Sequence, residues 1–385
     1  MLALDAGQRR TLAGAMTTLT AVVERTGKLP IADCVLIRVA DGVLALTTTG
    51  LERQADFRMP LAATPGEAPA FSVAVDAGRL EAFLDGLGDM NAPLTAVVED
   101  KLLRMRCAGS RASIPLVAAE DFPLLPSSPG ATVETVSAPA LADLFAQVAY
   151  AMAAHDIRYY LNATQLTFKA GSIALTATDG HRVGRAWRSI ERTTGGEEPL
   201  AALVPRKTAT VLARLLASVE GDASVSIGAN LIKVSAGAYT LTSRLVDGRY
   251  PDVERVIPTS FVVEVEADRA ALLAALSRAR VAGDGKTGVA GPVVRLQTGP
   301  GLMTLTVAGA TGAGLEAVEE FECDVEDGVE FVAAFTLSYL ADAVSAVTTP
   351  RVALKITSAN IAVVGPVVGA GEDAQSQHVA MGRRV

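Results

Sequence analysis

The chain has 385 residues, half of them apolar, with 34 Lys and Arg against 42 Asp and Glu and a formal net charge of −8. That length exceeds one ordinary hydrophobic core and suits three domains of roughly 130 residues, while the acidic balance excludes a protein that grips nucleic acid by bulk attraction. No apolar run approaches the ~18 residues of a membrane span, and residues 1–5 show no basic stretch leading into an apolar core, so neither a membrane anchor nor a secretory signal is expected.

From the N-terminus, residues 6 to about 23 carry an apolar stripe through Leu12 at helical spacing and are expected to form a helix. Alternating runs then meet at the hairpin turn Asp41-Gly42. A second helix is expected after Val75, with Asp76 as its N-cap, and another hairpin turns at Asp100. Residues 123–130, rich in Pro and Ser, read as a linker. The same order returns as a helix over residues 138 to about 153 with Leu144 in the place of Leu12, a turn at Gly171, a helix after Val204 with Pro205 at its start, and a turn at Asn230. Residues 251–260 close this second copy. The third copy brings a helix over residues 267 to about 280 with Leu273 on its stripe, a turn at Gly301, a helix after Phe335 with Thr336 as N-cap, and a turn at Asn360. A loop over residues 365–372 and a short tail from residue 379 follow, and such a tail frays unless it docks.

Gly42, Gly171 and Gly301 are 129 and 130 residues apart (171 − 42 and 301 − 171), and Asp100, Asn230 and Asn360 are 130 and 130 apart (230 − 100 and 360 − 230). Gly, Asn and Asp tolerate the backbone angles of tight turns, so two phase-locked sets argue for three copies of one domain, over residues 1–127, 128–257 and 258–385. Within each copy the two markers lie 58 or 59 apart (100 − 42, 230 − 171 and 360 − 301), so each copy divides into two similar halves. The expected fold class is α+β: three tandem domains, each with two helices packed on antiparallel sheets.

Chemistry-bearing residues are sparse. Cys34, Cys107 and Cys323 are far apart with no metal-ligand spacing and are most simply buried thiols of a reducing compartment; no metal and no cofactor is expected. Asp179 and His181 could form an acid/base pair, yet no Ser or Cys nucleophile stands in a recognisable motif and the chain has only three histidines, so the plainer reading is an Asp-Gly turn and no enzyme. Gly283-Asp284-Gly285-Lys286-Thr287 ends like a phosphate-binding loop, but the required first glycine falls at Arg280 and a helix precedes it.

Ala177-Thr178-Asp179-Gly180-His181-Arg182 has no counterpart in the other copies. With His155-Asp156-Ile157-Arg158-Tyr159-Tyr160-Leu161-Asn162 before it and Ser243-Arg244-Leu245-Val246-Asp247-Gly248-Arg249-Tyr250-Pro251-Asp252 after it, the chain resembles the bacterial sliding clamp family, the beta subunits of DNA polymerase III. Ala40-Asp41-Gly42, Ser110-Arg111-Ala112-Ser113 and Asp121-Phe122-Pro123 extend the resemblance over the first copy.

The resemblance implies three DNA-clamp domains forming half of a head-to-tail homodimeric ring around double-stranded DNA, in the cytoplasm at the nucleoid. An acidic exterior with a locally positive inside suits retention by topology. The implied partners are a replicative DNA polymerase, the clamp loader and repair or translesion polymerases; the alternative is a divergent phage, plasmid or paralogous clamp serving a specialised polymerase. Implied DNA contacts are Arg25, Lys28, Arg79, Arg158, Tyr159, Tyr160, Arg206, Lys207 and Arg214, joined on the helices by Arg9, Arg10, Arg278 and Arg280. Each cation alone more often marks a solvated helix face, their recurrence on the repeated helices favours DNA, and the Tyr-Tyr pair equally suits strand packing. The implied partner-peptide cleft comprises Leu161, Thr178, Gly180, His181, Arg182, Val183, Pro251, Arg255, Val256, Asn360, Ala362, Met381, Gly382 and Arg383, and the implied dimer seam Ala112, Ile114, Val281 and Ala282. The chain departs from the family at its end, where Met381-Gly382-Arg383-Arg384-Val385 replaces a Met-Pro-Met-Arg-Leu pattern. At the seam its residues are smaller than the family's, which predicts weaker closure at ~25 cal/mol per Å² lost.

Overall fold

One pattern, strand, helix and three more strands, runs six times along the chain. A computed structural model describes residues 1–25, 29–61, 70–126, 131–190, 199–283, 291–308, 316–325, 330–368 and 375–383. The first repeat is β1 (Leu2–Leu4), α1 (Ala6–Thr20), β2 (Cys34–Ala40), β3 (Val43–Thr49) and β4 (Arg53–Pro60); the second is β5 (Phe71–Asp76), α2 (Ala77–Gly86), β6 (Leu94–Glu99), β7 (Leu102–Cys107) and β8 (Ser110–Val117). The third is β9 (Thr132–Ser137), α3 (Ala138–Val148), β10 (Ala163–Lys169), β11 (Ser172–Thr178) and β12 (Arg182–Ser189); the fourth is β13 (Leu200–Pro205), α4 (Arg206–Ala217), β14 (Asp222–Ile227), β15 (Leu231–Ala236) and β16 (Tyr239–Arg244). The fifth is β17 (Val263–Asp268), α5 (Arg269–Ala279), β18 (Val293–Gly299), β19 (Leu302–Ala308) and β20 (Glu316–Val325); the sixth is β21 (Val332–Thr336), α6 (Leu337–Ala346), β22 (Arg351–Ile356), β23 (Ile361–Pro366) and β24 (Ser376–Met381).

Local chemistry explains these boundaries. Asp5 opens α1 with a capping box: its carboxylate accepts from the Gln8 N–H at 2.8 Å, while the Gln8 side chain accepts from the Asp5 N–H. Asp76 caps α2 as expected, accepting from the Arg79 N–H at 2.7 Å, and Asp268 caps α5 in the same way through Ala271. Thr336 precedes α6 without a side-chain capping bond. Three helices are shorter than their apolar stripes. After α1 the N–H groups of Val22 and Val23 bond three residues back, to Leu19 and Thr20, which tightens the last turn and ends it. Residues 149–151 make a similar tight turn after α3, and α5 starts two residues late because Ala267 belongs to β17. The turn set holds its geometry: Gly42, Gly171 and Gly301 have φ of +72°, +71° and +67°, and Asp100 and Asn360 share the left-handed region, whereas Asn230 does not.

Residues 1–142 and 210–245 form one compact unit, and residues 143–190, 199–209 and 246–383 the other. Each unit holds one antiparallel sheet of 12 strands, in the order β1-β6-β7-β8-β5-β2-β3-β4-β16-β15-β14-β9 in the first and β13-β10-β11-β12-β24-β23-β22-β17-β20-β19-β18-β21 in the second. The middle third of the sequence thus lends four strands to each sheet. Within each unit, two last strands of a repeat meet edge to edge: β4 with β16, and β12 with β24.

Arg9 departs from the expectation of a solvent-facing cation. It is fully buried, and its guanidinium donates to the carbonyls of Gly88 and Met90 just beyond α2, at 3.0 and 2.7 Å. These two bonds tie α1 to the turn that follows α2, so Arg9 serves the fold. Arg278 is held by Glu319 at 2.6 Å.

Candidate functional site

The β12–β24 joint brings together part of the cleft expected from the sequence: His181, Arg182, Val183, Asn360, Ala362, Met381 and Gly382. Its register runs from Arg182↔Ala380 to Ala186↔Ser376. The turn leading into β12 is built by side chains closing on their own backbone. Asp179 Oδ1 accepts from the N–H groups of His181 and Arg182 at 2.9 and 3.1 Å, and the Thr178 hydroxyl donates to the Arg182 carbonyl at 2.7 Å. Gly180 sits at φ +90°, where a side chain would be strained.

Below this turn lies the buried hydroxyl of Tyr250, which accepts from the Thr178 N–H at 2.8 Å and donates to the Ala163 carbonyl at 3.2 Å. Burial pushes its pKa up, so it stays a neutral phenol that serves both bonds. Tyr250→Phe is expected to destabilise the chain by about 1–3 kcal/mol, because a buried donor and a buried acceptor both lose their partner; urea unfolding of the two proteins measures it.

Arg182 is the charged centre of the turn. Its Nε donates to Asp179 Oδ2 at 2.9 Å and its Nη1 to Asp342 Oδ2 on α6 at 2.5 Å. The guanidinium carbon lies 5.2 Å from the Tyr150 ring centre and 4.6 Å from that of Tyr339. Burial opposes the charge, and the two carboxylates outweigh it, holding the pKa above the usual arginine value. The His181 ring stacks on Tyr339, with centres 6.3 Å apart.

Val183, Val253, Val363 and Val379 form an apolar cluster beside the turn, with Ile257, Phe261 and Ile361 packed against it. Leu161, Thr178, Val183 and Ala362 are buried, whereas Gly180, His181, Pro251, Arg255, Val256 and Arg383 are exposed and Asn360, Met381 and Gly382 half-buried. Arg255 is paired with Asp252. The chain end docks: the Met381 N–H donates to the His181 carbonyl at 3.1 Å and the Arg383 N–H to the Ala334 carbonyl at 2.7 Å. Gly382 bridges to Phe335, and a Cβ there would lie 1.9 Å from the Asn360 carbonyl oxygen, so the backbone passes where only glycine fits. The sequence reading missed Tyr150, Tyr339, Asp342 and the valines of β23 and β24. Two-residue alternation marks the valines as facing inward, but nothing local names the strand they meet.

The expected DNA contacts fall into several settings. Arg25, Arg79, Lys207 and Arg214 are exposed, and Lys28 lies outside the described residues. Arg206 is half-buried and donates to the Met152 carbonyl at 2.9 Å. Arg158 is exposed and clamped by Asp156 through Nε at 3.0 Å and Nη2 at 2.8 Å, bonds that hold the Asp156 carboxyl down at about 2. Tyr159 is 57% exposed, while Tyr160 packs on Ala163, Leu203 and Tyr250. At the expected seam, Ile114 and Ala282 are buried inside the single chain, Ala112 is half-buried, and Val281 is 79% exposed.

Among the described residues, no group of three or more His, Cys, Asp or Glu is placed to hold a metal ion, and no helix is long and apolar enough to cross a membrane. All three thiols are buried. The phosphate-loop look-alike falls, after Gly283, outside the described residues.

Residues 135–252 match the family described as DNA polymerase III beta subunit, central domain, and residues 254–383 its C-terminal domain. Over 380 residues the chain is 33% identical to the beta sliding clamp of Pseudomonas putida, covering 98% of this chain and 99% of that one. It is 31% identical over 329 residues to the beta sliding clamp of Escherichia coli K12, covering 86% of each. The crystal structure of a sliding clamp (DNA polymerase III subunit beta) from Pseudomonas aeruginosa bound to griselimycin shares the fold with a TM-score of 0.87 at 29% identity, over 100% of this chain and 99% of that chain. A tandem of six like repeats, matched from end to end by such proteins, places the chain in the DNA polymerase III beta subunit family, the beta sliding clamps.

Proposed function

We propose that two copies of this chain, joined head to tail, encircle duplex DNA and that separate surfaces on each copy touch DNA, hold client peptides and close the ring. The protein is a DNA polymerase processivity factor and not an enzyme. Its partners are DNA, the replicative polymerase and the clamp loader, with repair or translesion polymerases as further clients, and it works in the cytoplasm on the nucleoid. The observation that carries this reading is the end-to-end likeness to beta clamps over six like repeats. Tethering raises the polymerase's effective concentration at the primer end without strengthening its own grip. The functional division follows the sequence period, with domains over residues 1–127, 128–257 and 258–385.

For DNA, the exposed cations Arg25, Arg79, Arg158, Lys207 and Arg214 and the exposed ring of Tyr159 are the proposed contacts, and Lys28 is proposed with them from the sequence; Arg206 and Tyr160 position their neighbours. Client peptides occupy the β12–β24 cleft, laying apolar side chains over the Val183 and Val363 floor beside His181 and Met381. The fit of Gly382 against Asn360 gives the chain end its own path, so client preference differs from that of clamps with proline there.

Two half-open strand edges support the seam. Strand β8 pairs with β5 only through Leu116 and Val117, and β20 pairs with β17 only from Cys323 to Val325. The first edge lies beside Arg104, Arg106 and Arg111, and the second carries Glu316, Glu319, Glu320 and Glu322. Unlike edges of opposite charge favour head-to-tail over like-to-like pairing. Val281 and Ala112 supply the apolar contact.

Retention by topology is tested on a nicked circular duplex. The loaded protein is expected to stay with the circle through gel filtration at moderate salt and to leave once the circle is cut; equal retention on both forms rejects the ring.

A further inference from the structure

The β12–β24 joint has a counterpart in the first unit. There β4 and β16 pair from Arg53↔Ser243 to Phe57↔Tyr239, again the last strands of two repeats. Residues 124–126 cross this joint, tied down by the Leu125 N–H donating to Gln54 Oε1 at 2.9 Å. Between them and the sheet lies a cavity of about 650 Å³.

Its chemistry is unlike that of the client cleft. The floor carries Arg38, Arg58 and Lys233, all exposed and in no ion pair among the described residues. The lone carboxylate of the lining, Asp56, is occupied by the Thr47 hydroxyl at 2.6 Å and the Gln54 amide at 2.9 Å. Arg38 and Arg58 both register with Ala45, so they share one face of three strands, about 10 Å apart at two strand spacings. Lys233 lies opposite Thr242, which lies opposite Gln54, four residues along β4 from Arg58, or roughly 13 Å further along the strands. Above this cationic floor the roof is apolar: Leu124, Leu125 and Pro126.

A charged floor under an apolar roof matches an extended chain, whose side chains point alternately to opposite faces. We propose that this cavity binds an extended acidic segment of a partner protein, its carboxylates on Arg38, Arg58 and Lys233 and its alternate apolar side chains under residues 124–126. Protein is favoured over nucleic acid by two observations. The cavity is too small for a double helix, and its roof of Leu124, Leu125 and Pro126 suits alternate apolar side chains rather than a sugar-phosphate backbone. In a chain of net charge −8, three unpaired cations on one sheet face are also a selective feature. The proposal needs only the first unit's geometry and holds whether or not clients use the β12–β24 cleft.

The test is fluorescence anisotropy with the full chain and a labelled, end-blocked octapeptide alternating glutamate and leucine. Binding is expected at low salt, weakening with added salt as screened charge pairs do. The double variant Arg38→Glu, Arg58→Glu should weaken it at least tenfold and Lys233→Glu about threefold or more, with unchanged circular dichroism. The milder pair Arg38→Gln, Arg58→Gln should weaken it about threefold or more and serves if the charge reversals disturb folding. No binding of the peptide, equal binding of a lysine-leucine octapeptide, unchanged affinity in the variants, or equal competition by an eight-nucleotide oligothymidylate would each overturn the proposal.

Discussion

Arg182→Ala is expected to cost about 3 kcal/mol of stability and to weaken client-peptide binding at least tenfold. The guanidinium ties the Asp179 turn to α6 through Asp342 and fills the gap between Tyr150 and Tyr339. Removing it leaves two carboxylates facing each other without their cation, and breaking a buried pair from one side costs about 3–5 kcal/mol. The lower end applies because the Asp342 side chain is 44% exposed and water takes up part of its charge. The peptide effect follows from position: Arg182 opens β12, whose next residue, Val183, is part of the proposed cleft floor. Urea unfolding followed by Trp187, the single tryptophan and a residue of β12, reads the first effect, and anisotropy of a labelled client peptide reads the second. Unchanged peptide affinity in a folded variant would remove the β12–β24 cleft from the client site.

Acid is expected to weaken the second unit at pH values where most proteins are still at full stability. His378 on β24 is fully buried, and its Nδ1 lies 3.1 Å from the Tyr150 hydroxyl. That hydroxyl donates to the Val183 carbonyl at 3.2 Å, so it accepts from Nδ1–H and leaves Nε2 as a bare acceptor with no partner. A proton on Nε2 would be a buried charge without a counter-ion, and burial accordingly pushes the pKa from 6.5 down to about 3. Because the folded value is the lower one, the unfolded chain takes up the proton first. Stability is therefore full above pH 6.5 and falls by about 1.4 kcal/mol per unit as the pH drops toward 3, to a total of about 5 kcal/mol. Between pH 6.5 and 5 the loss should be about 2 kcal/mol by Trp187-monitored unfolding, and His378→Gln should remove most of that slope. An equal slope in both proteins would show that His378 is not its source.

These two residues mark where sequence reading stopped. Arg182 stands in the string that carried the family resemblance, so its importance was legible, but Asp342 lies 160 residues away on a helix with no unusual composition. His378 gave no signal, since an isolated histidine in an apolar strand has the same sequence appearance whether it faces water or core. Arg9 misled for a related reason: a cation on an amphipathic helix is normally solvated, and only the position of the carbonyls of Gly88 and Met90 makes its burial tolerable. By contrast, Asp76, expected as a cap, acts on an atom three residues away, a range over which sequence and geometry are nearly the same thing.

By itself, the sequence determined the period: hairpin turns at Gly42, Gly171, Gly301, Asp100 and Asn360, helix starts that recur at nearly the same spacing, and hence a tandem of like units. Turn and cap preferences are settled by the steric and hydrogen-bonding freedom of a few adjacent residues, so they survive in the linear text. Only the tertiary structure decided which strand edges meet, pairing β4 with β16 and β12 with β24, and so lining one joint with valines and the other with arginines. Strand edges carry the same backbone donors and acceptors everywhere, and the choice among them is made by the distant side chains that pairing buries together.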